Sequence, residues 1–198
     1  MPILPAEPDM YPDDLWEAGA DAGTEAGSDP GASEAGRRWY CLHTRPRQEK
    51  ATARDLRSRR IAFYLPQVVR EDRTPAGRKT RSIIPLFGSY LFLLGDETQR
   101  VEALKGNRLV NVLEVVDQES LVRDLRQVHR MLSSGLAIEP EHAAPVGGRV
   151  RIASGPLAGL VGTVVRRDKR DHFTAVVAIL GLGASVALED WQVELVPG

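Results

Sequence analysis

The sequence predicts an α+β protein in three parts. Residues 1–36 form a disordered acidic tail, residues 37–135 a mixed domain with an antiparallel sheet and helices, and residues 146–198 a small five-stranded β-barrel, joined through a linker at 136–145. Three observations carry this. Charge is partitioned: residues 1–36 hold nine acids and no Lys or Arg, residues 37–135 hold 20 basic and 11 acidic side chains, and residues 136–198 hold six and seven. Apolar spacing switches between strand and helix periods through the middle, then gives way to short apolar runs cut by turn residues. The tail itself is built of Asp, Glu, Gly, Ala, Pro and Ser, with too few large apolar residues to offset the entropy of ordering.

Composition narrows the classes further. A chain of 198 residues, 42% hydrophobic, can bury one or two modest cores, and a single cysteine excludes an internal disulfide framework. No apolar run approaches the ~20 residues that span a bilayer, and the start lacks a signal peptide's basic and apolar pattern. A cytoplasmic protein with no membrane association, no cofactor and no metal is expected. The bulk charge of −1 conceals the segment charges.

Taken in order, the tail contains one apolar cluster, Met10, Tyr11, Leu15 and Trp16, which reads as a docking peptide. The rest is either a solubilising appendage or a strip that folds back electrostatically on the basic body. Trp39 to Thr44 reads as a strand. Pro46 suits a first helical turn with Thr44 as cap, so Arg47 to Arg60 reads as a helix with Ala53 and Leu56 inward. A strand follows from Ile61 to Val69, interrupted at Pro66, then a hairpin loop from Glu71 to Arg81 around Pro75 and Gly77. Ile83 to Leu94 reads as one strand with Phe87, Ser89, Leu91 and Leu93 on one side and Gly88, Tyr90, Phe92 and Leu94 on the other. Both sides are largely apolar. Tyr90 and Phe92 are then either ordinary core or a docking surface for a partner. Helices are expected near Glu97 to Leu104 and from Asp117 to Leu132, the latter with Leu121, Leu125, Val128 and Leu132 inward.

The last part offers five strands: Gly148 to Ala153, Val161 to Arg167, Phe173 to Leu180, Ser185 to Leu188 and Gln192 to Val196. The turn Gly155-Pro156-Leu157-Ala158-Gly159 combines a preset proline φ with glycines free to take positive φ. Gly162 permits close backbone approach or a bulge.

These residues carry a family resemblance. Val150-Arg151-Ile152, the Gly155 to Gly159 turn and Gly162-Thr163-Val164-Val165 resemble a KOW motif. Trp39-Tyr40, His43-Thr44-Arg45-Pro46-Arg47-Gln48-Glu49 and Pro85-Leu86-Phe87-Gly88-Ser89-Tyr90-Leu91-Phe92 resemble the N-terminal (NGN) domain of NusG-type transcription elongation factors. Order and linker agree over residues 37–197, and Arg45 to Glu49 is closer to the specialised RfaH-like paralogues. The resemblance implies a monomeric factor whose sheet offers an apolar cavity to the RNA polymerase clamp helices, with Trp39, His43, Phe87, Tyr90 and Phe92 lining or supporting it. It also implies that Arg45, Arg47, Arg54 and Arg57 lie near upstream or non-template DNA, where guanidinium groups make salt-dependent phosphate contacts. A turn around Thr98 to Arg100 would reach the opposite lobe. Ile179, Leu180, Gly181 and Leu182 would receive a second partner such as a ribosomal protein or Rho. Where the family tends to carry Phe and Arg, this chain has Leu180 and Leu182, which points to a specialised antiterminator rather than a housekeeping NusG. Another departure is Arg60, where relatives often place a helix-ending glycine.

Two rivals are weighed against this reading. A phosphate loop at Gly155 to Gly162 would need a Gly-Lys-Ser/Thr ending and a following helix, and has neither. His43, His129, His142 and His172 lack metal-ligand spacing, and Cys41 has no partner motif, so catalysis is not expected. A ribosome-associated or RNA-binding KOW protein should have a markedly basic barrel, whereas this one is nearly neutral.

Overall fold

A computed structural model of the chain describes residues 8–16, 36–73, 77–141, 148–167, 170–178, 180–187 and 193–195. Two compact units divide between Gln118 and Glu119. The first contains β1 (Met10–Tyr11), β2 (Arg38–Thr44), α1 (Glu49–Ser58), β3 (Ala62–Tyr64), β4 (Gln67–Arg73), β5 (Lys79–Pro85), β6 (Tyr90–Gly95), α2 (Glu97–Leu104) and β7 (Leu109–Leu113). Among the described residues β4 and β5 pair only with each other. The remaining strands form an antiparallel sheet in the order β1-β3-β6-β2-β7.

Register assigns the two faces of that sheet, because directly paired residues point the same way. Tyr40 pairs with Leu93, Leu42 with Leu91, and Phe63 with Leu93. These five side chains form the core with Ala53 and Leu56 of α1 and Ala103 of α2. The other face carries Trp39, Cys41, His43, Ala62, Tyr64, Tyr90, Phe92 and Leu94.

The structure departs from the sequence expectations at several places. The reading of residues 1–36 as one unstructured tail fails at 8–16, where β1 pairs with β3 and Met10 and Leu15 are buried. Residues 1–7 and 17–35 lie outside the described residues. Helix α1 begins at Glu49 instead of Arg47, and Gln48 is its N-cap, with no side-chain cap bond. Arg47 takes φ 63 in the strand-to-helix turn, which no helical residue can do. The Ile61 to Val69 segment is two strands in two sheets, because Pro66 cannot donate to the ladder and its carbonyl instead accepts from the Leu86 amide at 2.8 Å. Ile83 to Leu94 is likewise divided, and residues 86–89 turn between β5 and β6. Thr98 to Arg100 lies inside α2, which starts on a capping box between Asp96 and Gln99. The edge strand β7 has no counterpart in the sequence reading.

The second unit contains most of α3 (Gln118–Ser133), followed by β8 (Ile138–Glu141), β9 (Gly148–Ile152), β10 (Val161–Arg167), β11 (Arg170–Val177), β12 (Leu182–Ala187) and β13 (Val193–Leu195). Its antiparallel strands are ordered β13-β9-β10-β11-β12-β8. The five expected strands of the barrel are all present, β10 with its expected ends and the other four with shifted ends. A sixth, β8, pairs with β12 where a linker was expected. Helix α3 buries Leu121, Leu125, Val128 and Met131, with Met131 in the place foreseen for Leu132. Its polar side chains hold the barrel's loops. Gln127 accepts from the Val161 amide at 2.8 Å, Asp124 from the Ala178 amide at 3.0 Å, and Arg130 donates to the Ala158 carbonyl at 2.8 Å. Among the described residues no helix is long and apolar enough to cross a membrane.

Candidate docking face and basic surface

The candidate docking face lies on the side of the first sheet opposite the helix-packed core. Trp39 and Phe92 are buried on it, at 3% and 0% exposure, and Phe87 is buried beside them. His43 and Tyr90 are half-buried and stacked on each other, with ring centroids 4.8 Å apart at an interplanar angle of 17°. The structure therefore brings all five predicted residues to one side, though not by the expected parity. Phe87 was expected to point with Leu91. Because the chain turns at 86–89, its ring instead meets Phe92 edge-on at 6.3 Å.

That turn is tightly held. Ser89 takes φ 67, a conformation that costs a non-glycine residue roughly 1–2 kcal/mol. Its amide donates to the buried Glu49 carboxylate at 2.6 Å, and its carbonyl accepts from the Thr44 amide at 2.8 Å. Glu49 is therefore a positioning residue for Phe87 and Tyr90. Sequence reasoning quoted it only within a motif, since an acid at the start of a helix is ordinarily explained by the helix dipole.

Two further residues belong to this face: Tyr64, which the sequence reading did not single out, and Trp16, which it placed in a docking peptide and not on this sheet. Tyr64 is fully buried and pairs with Phe92 across β3 and β6. Burial, with the nearby Asp9 charge, holds its phenol well above the ordinary value. Trp16 lies parallel to Trp39, with ring centroids 5.4 Å apart at 7°, and edge-on to Tyr64 at 5.1 Å. The Ala62-Phe63-Tyr64 alternation could have revealed Tyr64. Nothing local in the tail could have revealed where Trp16 sits. Cys41, on the same face, is fully buried, which pushes its thiol up to about 12.

The predicted basic residues are exposed. Arg54 and Arg57 are one helical turn apart on α1, while Arg45 and Arg47 lie in the preceding turn. Arg45 donates to the Asn107 side chain at 3.2 Å. Arg59 instead joins the fold, bridging Asp55 at 3.3 Å and Glu102 at 2.9 Å.

In the second unit, the turn between β11 and β12 includes half-buried Leu180 and exposed Gly181 at φ 62, and half-buried Leu182 opens β12. Ile179 lies outside the described residues. The turn is closed by the Leu180 and Gly181 amides donating to the Val177 carbonyl at 3.0 and 3.1 Å. Among the described residues no three His, Cys, Asp or Glu side chains gather as a metal site requires.

Comparison with known proteins gives three findings. Residues 37–146 match the family model described as transcription termination factor nusG. The transcription termination/antitermination protein NusG of Thermus thermophilus is 29% identical over 177 residues, covering 78% of this chain and 96% of that protein. A solved structure described as domain interaction in Thermotoga maritima NusG covers 81% of this chain and 98% of its own, at 17% identity and a TM-score of 0.44.

Proposed function

This chain belongs to the NusG family, and from that premise we propose that it is a transcription elongation and antitermination factor acting by binding rather than by chemistry. It docks on the RNA polymerase clamp helices through the face formed by Trp39, His43, Phe87, Tyr90 and Phe92. The observation that carries this is the two-faced sheet. One face is filled by α1 and α2, while the other carries a row of aromatic rings in which Trp39, Phe87 and Phe92 are buried and the half-buried His43–Tyr90 stack reaches the surface. Such a row of rigid rings is what a helix-binding groove needs.

A factor that binds the closed, elongating polymerase better than the paused one shifts the population toward elongation. The exposed Arg45, Arg47, Arg54 and Arg57 support contact with upstream or non-template DNA. The Leu180-Gly181-Leu182 turn is offered to a second protein, a ribosomal protein or Rho being the family's choices. The protein works as a monomer in the cytoplasm. The nearly neutral second unit favours this reading over an RNA-embedded module.

The test is retention of core RNA polymerase by the immobilised protein. Wild type retains it. Tyr90→Asp, a charge placed at a half-buried surface ring, abolishes retention. Equal retention by the variant would contradict the docking face.

A further inference from the structure

The docking face is already partly occupied by the chain itself. Residues 8–16 reach it by two kinds of contact. The first is backbone pairing: Met10 pairs with Tyr64 and Tyr11 with Phe63, and the Leu65 amide donates to the Asp9 carbonyl at 2.5 Å. This adds a strand to the edge of β3, as extended peptides do when they bind sheet edges. The second contact is aromatic. After a turn closed by the Leu15 amide on the Pro12 carbonyl at 3.1 Å, Trp16 is returned over the sheet, flat on Trp39 and edge-on to Tyr64. Register places Met10 on the same face as Tyr64, while Tyr11 joins the helix-packed core.

The chemistry fits its seat. Met10, Tyr11, Leu15 and Trp16 are the cluster of large apolar residues in the tail, and Met10 and Leu15 are buried against the body. Parallel and edge-on aromatic pairs at these separations add to the burial of the rings. Nineteen residues rich in Gly, Ala, Ser, Asp and Glu join Trp16 to Gly36. Because the segment and the face belong to one chain, its binding is intramolecular and needs less intrinsic affinity than a free peptide's. Even weak intrinsic contacts then keep the seat filled.

We propose that residues 8–16 are a tethered, displaceable occupant of the polymerase-docking face, with Trp16 covering Trp39 until polymerase displaces it. The inference rests on the docking reading above. It replaces a purely electrostatic account of the acidic tail with one in which the decisive contacts are strand pairing and ring stacking. Apolar contacts are not screened by salt, whereas attraction between an acidic tail and a basic surface is. The competition lowers apparent polymerase affinity by the fraction of molecules whose seat is empty.

The experiment uses the full chain and its Trp16→Ala and Tyr90→Asp variants. It reads polymerase affinity at low and high salt together with hydrogen exchange at the Leu65 amide. Trp16→Ala should raise the Leu65 exchange rate and tighten polymerase binding about tenfold, as expected if seated molecules outnumber open ones by roughly ten to one. The gain should persist at high salt, and a synthetic peptide of residues 8–16 should reverse it. Loss of binding by Tyr90→Asp with no gain from Trp16→Ala would overturn the inference and leave the docking face standing. A gain that vanishes at high salt would overturn it in favour of electrostatic fold-back. Unchanged binding by Tyr90→Asp would remove the docking face, and the inference with it.

Discussion

At the residue scale, the informative positions are those where the backbone or burial departs from the ordinary. Arg60 ends α1 at φ 57, with the Ile61 amide returning to the Leu56 carbonyl at 3.0 Å. The left-handed conformation costs a residue with a Cβ about 1 kcal/mol that glycine does not incur. Arg60→Gly should therefore stabilise the protein by about that much, read as a higher denaturant midpoint. An unchanged or lower midpoint would show that the Arg60 side chain offsets the strain. Cys41 supplies a second test. Its folded thiol stays protonated up to about 12, while an unfolded thiol ionises near 8.5. Its contribution to stability is complete below about pH 8.5 and is lost progressively as pH rises toward 12. Native protein at pH 8 should resist a thiol alkylator that labels the denatured chain fully, and stability should decline above pH 9. Rapid native labelling would contradict the assigned burial.

At the element scale, the sequence was most legible where local chemistry and tertiary context agree. Helix α2 falls where its composition places it, started by Asp96 and Gln99. Strand β10 keeps its foreseen bounds at Val161 and Arg167. Legibility failed where a turn has apolar neighbours, even though Pro85 and Gly88 flank or lie in it. Phe87-Gly88-Ser89 breaks the Ile83 to Leu94 run because the Glu49 carboxylate, 40 residues upstream, holds the Ser89 amide. Strands β7 and β8 were invisible for a related reason. They lie at sheet edges, and Val110 in β7 is 61% exposed, so their sequences lack a clear buried face. In the barrel, the glycine signal was legible and its cause is now specific. A Cβ at Gly162 would lie 2.3 Å from the Thr174 carbonyl oxygen and 2.7 Å from the Phe173 ring. Gly162→Ala should cost about 1–3 kcal/mol by forcing β10 away from β11, seen as a lower unfolding midpoint of the full chain. An unchanged midpoint would mean that the strand pair relaxes freely.

At the scale of the whole molecule, the near-zero net charge of the sequence is a sum of unlike parts, and the acidic tail is not uniform. Its apolar cluster is built into the first sheet, a long-range pairing that composition alone could not reveal. Of the candidate site, the identity of the aromatic residues was legible through family resemblance. The turn that aims Phe87 and the covering of Trp39 by Trp16 were not, since both depend on contacts distant in sequence. Docking of polymerase on the aromatic face opposite the helices is tested most directly by photo-crosslinking from position 90. A photoreactive phenylalanine analogue replacing Tyr90 should give an adduct with the clamp helices of RNA polymerase. Adducts only elsewhere on the enzyme, or none from a protein that still binds polymerase, would contradict the account.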